Sequence, residues 1–532
     1  MIIIWTTKNA INMFTIGYLI FLIVFALNIH PIEDNHGANP ELDFYNAQAA
    51  SLGKEGKMPS SPYHPALYSS LCSVAGKILG GNYFLGCQII SIISGCIFVY
   101  CSFIIAKTLI NEHVAWLLLI FVSLNAHILR ASVRTASDML FQSLTMLILL
   151  LCIKTNISSE KPIQNAILLG IFFGLAYSTR YNAIFILPVI TFFFLSSGKT
   201  YPIEFFVALF TSIIIAVTPQ LILNYIQFGN PIYNENWRNV AFYYFGLKNL
   251  SWNEGFTQYS QEYLFQEFIK NSLYFIEFGL FSIIKFITFN LPNILFGTWE
   301  LGDWKIGKLF STLIPQLLTL ASFYTILFGI KTQKDNIRKN SLLLVSYVVV
   351  MVLSIGFTFP FAPRFVLPII PFLFMFFING IYQAVSNNRL LNIMLSMFVI
   401  FFLSTQYNEI RSFAKDHVID DLRAAEWLTD NVCNPSVMGT SLFLRNHFNF
   451  SYTYLDSLTV IHDEKRYVDR INSTIRKSMP AYFIVNPISS YGNNTPEFLY
   501  KAPNKTLPFL IPVKQVGSSI IFKIDYDLML KN

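Results

Sequence analysis

Carboxylates, a histidine and three arginines placed at the ends of apolar runs are the residues of this chain with chemical capacity. The polar stretch PELDFYNAQAASLGKEGKMPSSPYHPALY (40–68) sets Glu41, Asp43, Tyr45 and His64 directly after an apolar span. Arg134 and Asp138 fall between two further apolar runs. Arg180 and Tyr181 sit inside GLAYSTRYNAIFILP (174–188), and Arg364 opens another run in FAPRFVLPIIPF (361–372). A carboxylate so close to hydrocarbon is costly unless it is solvated, paired or used, so each is a functional candidate by default. In a dry site its pKa can rise until it serves as a base toward a hydroxyl. A guanidinium, with its planar fork of donors, is well shaped for phosphate.

Each residue also has a plain structural role open to it. Asp43 precedes the helix-friendly FYNAQAASL and could cap a juxtamembrane helix, and Asp138 could cap the span it begins. Arg134, Arg180 and Arg364 could snorkel to the interface. His64, before Pro65, could only order a turn, and Tyr45, Tyr63 and Tyr68 are ordinary interfacial aromatics. Joint placement carries the argument: residues distant in sequence collect at one membrane face, and no cluster of both signs lies deep within a span.

The elements that position them are membrane helices. The 532-residue chain is 54% hydrophobic and 13% charged, with mean hydropathy +0.50. Ordinary soluble domains carry about 25% charged residues. Apolar runs at 11–28, 83–106, 113–129, 138–153, 163–179, 182–197, 203–225, 308–330, 341–359, 365–383 and 390–406 are of the length that crosses a bilayer, about 20 residues per helix. The stretch 270–296 is ambiguous, being broken by Glu277, Lys285, Asn290 and Pro292; it could lie along the interface. Lys8 and the run Ile11–Leu27, with no small-residue cleavage site after it, read as a retained signal anchor. The net charge of +7 includes no basic stripe of the kind that binds nucleic acid.

The loop KTQKDNIRKN (331–340) holds four basic residues and one acid, the strongest cytoplasmic signal in the chain. Placing it and the N-terminus inside gives eleven spans and an extracytoplasmic C-terminus. The expected architecture is an all-α polytopic domain over 1–406, with the outer loop 29–82 carrying the site, followed by a soluble α/β domain over 407–532. In that domain Val418, Leu422, Ala425 and Leu428 share a helical face, and 481–487 and 518–526 read as strands. Five cysteines, Cys72, Cys87, Cys96, Cys101 and Cys152, lie in or beside apolar segments, and Cys433 lies in the tail. They form no disulfide framework and no zinc spacing. A divalent metal has no recognisable ligand set.

The order acid–x–Tyr in the first outer loop, then HP-x-L, then a second acid opening the fourth span resembles the GT-C superfamily of lipid-dependent glycosyltransferases. Within it the pattern is closest to the protein O-mannosyltransferase and aminoarabinose-transferase-like group. PQLILNYIQFGNPIY (219–233) and PRFVLPIIPFLF (363–374) extend the resemblance across nearly the whole chain. It implies a GT-C-like fold and a sugar donor carried on polyprenyl or dolichyl phosphate. Transfer would go to an acceptor glycan, lipid or protein at the outer face of the plasma membrane; no cofactor is demanded, and a divalent metal stays open without a ligand spacing to support it. Asp43 would be the base, Asp138 the second acid, and one or more of Arg134, Arg180 and Arg364 would hold the donor phosphate. Glu41, Tyr45, His64 and Tyr181 complete the substrate-binding set. Many relatives have Asp-Glu in the first loop, whereas here Phe44 follows Asp43 and Glu41 precedes it; the acceptor class stays open.

A transporter is the rival from another class; it would place ionisable or helix-breaking residues mid-span in two related halves, whereas here Pro219, Pro368 and Pro371 break helices but the charges stay at the ends and no halves repeat. A glycan polymerase or ligase using lipid-linked substrates is the alternative among enzymes.

Overall fold

A computed structural model describes residues 7–29, 45–59, 61, 63–158, 161–197, 199–237, 240, 261–296, 305–331, 335–358, 367–385, 387–414, 418–439, 451–455, 464–486 and 506–531. Glu41, Asp43 and Arg364 lie outside the described residues. The chain divides into two compact units, one of Met1–Ile29, Gln48–Glu235 and Asn271–Phe413, the other of His30–Ala47, Asn236–Lys270 and Ala414–Asn532.

The first unit is helical, and each apolar run of the sequence folds as helix. Its first half comprises α1 (Thr7–Ile29), α2 (Tyr45–Glu55, whose first turn belongs to the other unit), α3 (Leu67–Ile78) and α4 (Tyr83–Leu109). These are followed by α5 (Glu112–Ser123), α6 (Ala126–Val133), α7 (Asp138–Ser158), α8 (Pro162–Tyr177), a 3-10 turn (Tyr181–Phe185), α9 (Ile186–Ser196) and α10 (Ile203–Phe228). After α11 (Gln261–Lys270) of the other unit come α12 (Ser272–Lys285), a π turn (Phe286–Asn290) and α13 (Leu291–Phe296). The last four are α14 (Lys305–Lys331), α15 (Asp335–Thr358), α16 (Ile370–Ala384, entered by a 3-10 turn at Leu367–Ile369) and α17 (Asn388–Ala414). Among the described residues six helices are long and apolar enough to cross a membrane, and up to eight if two bent pairs each count as one.

Burial separates central helices from peripheral ones. In α4, α7 and the 367–384 helix, 67–72% of the apolar window is buried, against 22–28% in α1, α10 and α17. On α10, Ile214, Ile215 and Ile226 are 64–73% exposed, a composition suited to acyl chains rather than water. The inner face of α10 packs on α8 through small residues. A Cβ at Gly170 would meet Ser212 Oγ at 2.0 Å and the Leu209 carbonyl at 2.7 Å, and one at Gly174 would meet Ala216 Cβ at 2.3 Å. This Gly-x-x-x-Gly spacing lets two backbones approach where lipid offers no hydrophobic drive for association.

Two runs fold differently from a straight span. Run 113–129 is broken between α5 and α6 by a 64° bend. Asn125 causes it: its side chain accepts from the His127 and Ile128 amides and caps α6, while its own amide donates to the Ile294 carbonyl at 3.0 Å. The ambiguous stretch 270–296 becomes three pieces, and its last piece is buried, with Leu291, Ile294, Leu295 and Phe296 at 1–3% exposure.

The second unit contains a five-stranded sheet in the order β2-β1-β3-β5-β4. Its strands are β1 (Ser436–Gly439), β2 (Ser451–Tyr454), β3 (Tyr482–Val485), β4 (Leu510–Val516) and β5 (Ser519–Ile524). β1 runs parallel to β2 and β3, while β5 is antiparallel to β3 and β4. Side chains alternate between faces with period two. Val437, Ile484 and Ile521 pack with Ala424, Ala425 and Leu428 of α18 (Val418–Asn431). Met438, Phe483 and Phe522 pack with Ile471 and Ile475 of α19 (Glu464–Ser478). The result is a sheet with a helix on each face. Pro512, which cannot donate to a ladder, sits on the edge strand β4 beside its register shift, where such a residue is tolerated.

Candidate functional site

The site is built at one end of α7, α8 and α10. Asp138 is the first residue of α7, where a carboxylate is favoured by the helix dipole. Arg180 stands between α8 and the 3-10 turn in an extended conformation (φ −151°, ψ 131°), its amide donating to the Ala176 carbonyl at 2.8 Å. That geometry ends α8 and turns the side chain toward the start of α7. There Arg180 Nη2 pairs with Asp138 Oδ1 at 2.8 Å and Nε donates to Ser137 Oγ at 3.1 Å. Asp138 is buried and Arg180 largely so, with side chains 6% and 11% exposed. A buried pair with such contacts is held in one orientation, since desolvated charges require good geometry.

A second set of contacts fixes the loop that carries His64. The Tyr63 and His64 amides both donate to Ser61 Oγ at 3.2 Å. Beyond the buried Pro65, the Ala66 amide donates to Gln220 Oε1 at 2.9 Å and the Leu67 amide to the Ser178 carbonyl at 3.0 Å. The HPAL turn is thereby tied to α10 and to the end of α8, two residues from Arg180. Tyr68 is fully buried, and its hydroxyl donates to the Cys87 carbonyl at 3.0 Å and meets Ser91 Oγ at 2.8 Å.

Gln220 and Asn224, one helical turn apart after Pro219, are the hub of this arrangement. Gln220 Nε2 donates to Asn224 Oδ1 at 2.8 Å, and the Asn224 amide meets the Tyr181 hydroxyl at 3.1–3.3 Å. Asn224 Nδ2 also faces the Pro231 and Tyr233 carbonyls at 3.1 and 3.3 Å. Buried amides in an apolar helix must find partners. Here those partners are the His64 loop, the Tyr181 corner and the chain leaving α10.

The structure brings together Asp138, Arg180, Tyr181 and the His64 turn. Arg134 is half-buried at the C-terminal end of α6, four residues before Asp138. Tyr45 is the buried first residue of α2 and belongs to the second unit. Ser137, Gln220 and Asn224 were missed as site-building residues. The signal for two of them was available: amides four residues apart in the apolar run 203–225, directly after a proline. Among the described residues no group of three His, Cys, Asp or Glu side chains could hold a metal ion.

Residues 63–223, which hold Asp138, Arg180 and the Gln220 end of α10, match the family model of dolichyl-phosphate-mannose-protein mannosyltransferases. No curated protein matches the sequence. The fold is similar to that of ArnT from Cupriavidus metallidurans bound to undecaprenyl phosphate, with a TM-score of 0.56 at 9% identity over 97% of this chain and 98% of that one. The apo state of the same protein gives 0.55 at 11% identity, over 96% and 98%. The archaeal oligosaccharyltransferase AglB from Archaeoglobus fulgidus follows at 0.45 and 9% identity, over 89% and 69%. The fold is thus shared with ArnT over nearly the whole chain. Over 63–223 the chain is similar to the dolichyl-phosphate-mannose-protein mannosyltransferases.

Proposed function

We propose that this protein is a membrane glycosyltransferase of the GT-C kind, moving a sugar from a polyprenyl- or dolichyl-phosphate carrier to an acceptor hydroxyl at the outer face of the plasma membrane. The buried Asp138–Arg180 pair within the matched segment carries the reading. A guanidinium fixed by a carboxylate and a serine hydroxyl keeps its planar fork in one place. A phosphate leaving a sugar carbon needs such a charge already in position.

In this reading the acceptor oxygen attacks the anomeric carbon as the bond to the carrier phosphate breaks. The bonding electrons leave with the phosphate, and the acceptor proton passes to the Asp43 carboxylate. One displacement inverts the anomeric carbon. Arg180, with Arg134 and Arg364, holds the phosphate, and Asp138 is the second acid, acting through Arg180. His64 and Tyr181 bind donor or acceptor from the loops that Gln220 and Asn224 fix, with Glu41 and Tyr45 on the acceptor side. The 1–406 segment is the catalytic domain, its N-terminus cytoplasmic, and 407–532 an extracytoplasmic domain.

Titration of the purified protein with undecaprenyl phosphate tests the phosphate role. The double variant Asp138→Asn/Arg180→Met removes the charge without stranding its partner, and its affinity falls about 10- to 100-fold, as loss of a charged hydrogen bond implies. Asp43→Asn binds like wild type. Wild-type affinity in the double variant would take Arg180 out of the phosphate site.

A further inference from the structure

Arg180 and Tyr181 mark one end of the 3-10/α9 segment; a different feature lies at the other. The 3-10 turn and α9 together span roughly 26 Å from rise per residue, close to the hydrocarbon thickness of about 30 Å. At this far end a cleft of about 160 Å³ opens between α9 and α15. Val189, Phe193, Leu342 and Leu343 form its walls, and Ser197 and Lys339 close one end. Phe192 and Leu342, at its edges, are 64% and 48% exposed.

The closed end is cationic. Lys339 Nζ donates to the Ser197 carbonyl at 3.4 Å. Two residues beyond Ser197, the Lys199 amide donates to Ser197 Oγ at 3.3 Å and its ammonium to the Ile157 carbonyl at 3.4 Å. Each ammonium is thus held at a helix C-terminus, where the dipole favours it. Arg338 is exposed beside them. In segments 196–204 and 338–346 the acidic side chain described is Glu204, exposed on the first turn of α10. Beneath, Asn156 Nδ2 donates to Asn340 Oδ1 at 2.9 Å and the Tyr201 hydroxyl to Asn156 Oδ1 at 3.2 Å. Both asparagines are buried, so α7, α15 and the 197–202 turn are bolted together at the cleft's end.

We propose that this cleft binds an anionic phospholipid from the leaflet on the side of loop 331–340, one acyl chain lying between α9 and α15 and the phosphate resting at Lys339 and Lys199. The walls are apolar and open toward the lipid-facing side, so an acyl chain gains from them what a soluble phosphate cannot. The ammonium groups favour a headgroup of net negative charge over a zwitterion that carries its own cation. The site lies a bilayer's thickness along the segment from Arg180 and stands independently of the transfer reaction.

Native mass spectrometry of the delipidated full-length protein tests it, by titration with phosphatidylglycerol, phosphatidylcholine of the same chains, and glycerol 1-phosphate. One phosphatidylglycerol binds at least about five-fold tighter than phosphatidylcholine, the factor expected from one lysine near a membrane phosphate. Ser346 of α15 also lines the cleft, and Ser346→Phe, which fills it, abolishes that adduct. Lys339→Gln, on the surface and tolerant of change, lowers the preference about five-fold and keeps the monitor valid if Ser346→Phe fails to fold. Equal binding of the two lipids would overturn the proposal. So would an adduct unchanged by both variants, or glycerol 1-phosphate binding as tightly as the lipid.

Discussion

Breaking the Asp138–Arg180 pair one partner at a time should cost far more than removing it whole. At 2.8 Å and an effective dielectric near 20, the gross attraction of two unit charges is about 6 kcal/mol. Most of that offsets the desolvation of two side chains that are 11% and 6% exposed. Taking away one partner leaves the other charge buried without its counter-ion, a loss of about 3–5 kcal/mol. Asp138→Asn and Arg180→Met should therefore each destabilise the fold by that amount. The double variant leaves no orphaned charge and should lose no more than either single, giving a coupling of about 3 kcal/mol or more. Equilibrium unfolding in mixed micelles with rising SDS, followed by tryptophan fluorescence, supplies the four free energies of the cycle. Single losses under about 1 kcal/mol that simply add would mean the pair behaves like an exposed ion pair. Asp138 would then not be what fixes Arg180.

Three further perturbations have worked expectations. Gly174→Val drives a side chain into Ala216 across the α8–α10 contact and should cost about 1–3 kcal/mol as overpacking; an unchanged SDS midpoint would show that the helices can part freely. Gln220→Leu removes the acceptor of the Ala66 amide and a partner of Asn224, a loss of about 1–3 kcal/mol. Amide exchange over residues 63–67 should quicken with it; unaltered exchange there would contradict the tether. The Tyr526 hydroxyl donates to the Pro480 carbonyl at 2.7 Å, and burial raises its pKa above the ordinary value. A raised folded pKa means this stabilisation is fully present below about pH 10 and is lost as pH climbs through the folded value. In the full chain, proteolytic protection of residues 464–531 should fall more steeply between pH 9 and 11 in wild type than in Tyr526→Phe; parallel curves would refute it.

Much of the fold was legible because hydrocarbon enforces simple rules. Runs such as 83–106, 138–153 and 203–225 could only be helices, and α4, α7 and α10 begin at Tyr83, Asp138 and Ile203. The Asn125 break was not legible, since it depends on Ile294, 169 residues away, and a lone asparagine in an apolar run has many possible partners. In the tail, β3 and β5 were readable from YFIV and SIIFKI, which are apolar and β-branched. β1 and β2 are only four residues each, too short for alternation to stand out despite the strand-forming Tyr and Thr of β2, and they form by pairing with neighbours. At the site, Asp138 and Arg180 stood out as charges beside apolar runs, and their pairing joins residues 42 apart in sequence that helices α7 and α8 bring together. Ser137 carried no signal, because a serine next to an acid reads equally well as a helix start.

The central claim is lipid-phosphate-dependent sugar transfer. Its most direct test is release of polyprenyl phosphate from a panel of polyprenyl-phosphate sugars by the purified protein, with mixed acceptor extract present and Asp43→Asn run alongside. The account predicts release from at least one donor by wild type and none above background by the folded variant. Equal release by both proteins would contradict Asp43 as the base, and no release from any donor would contradict the function itself.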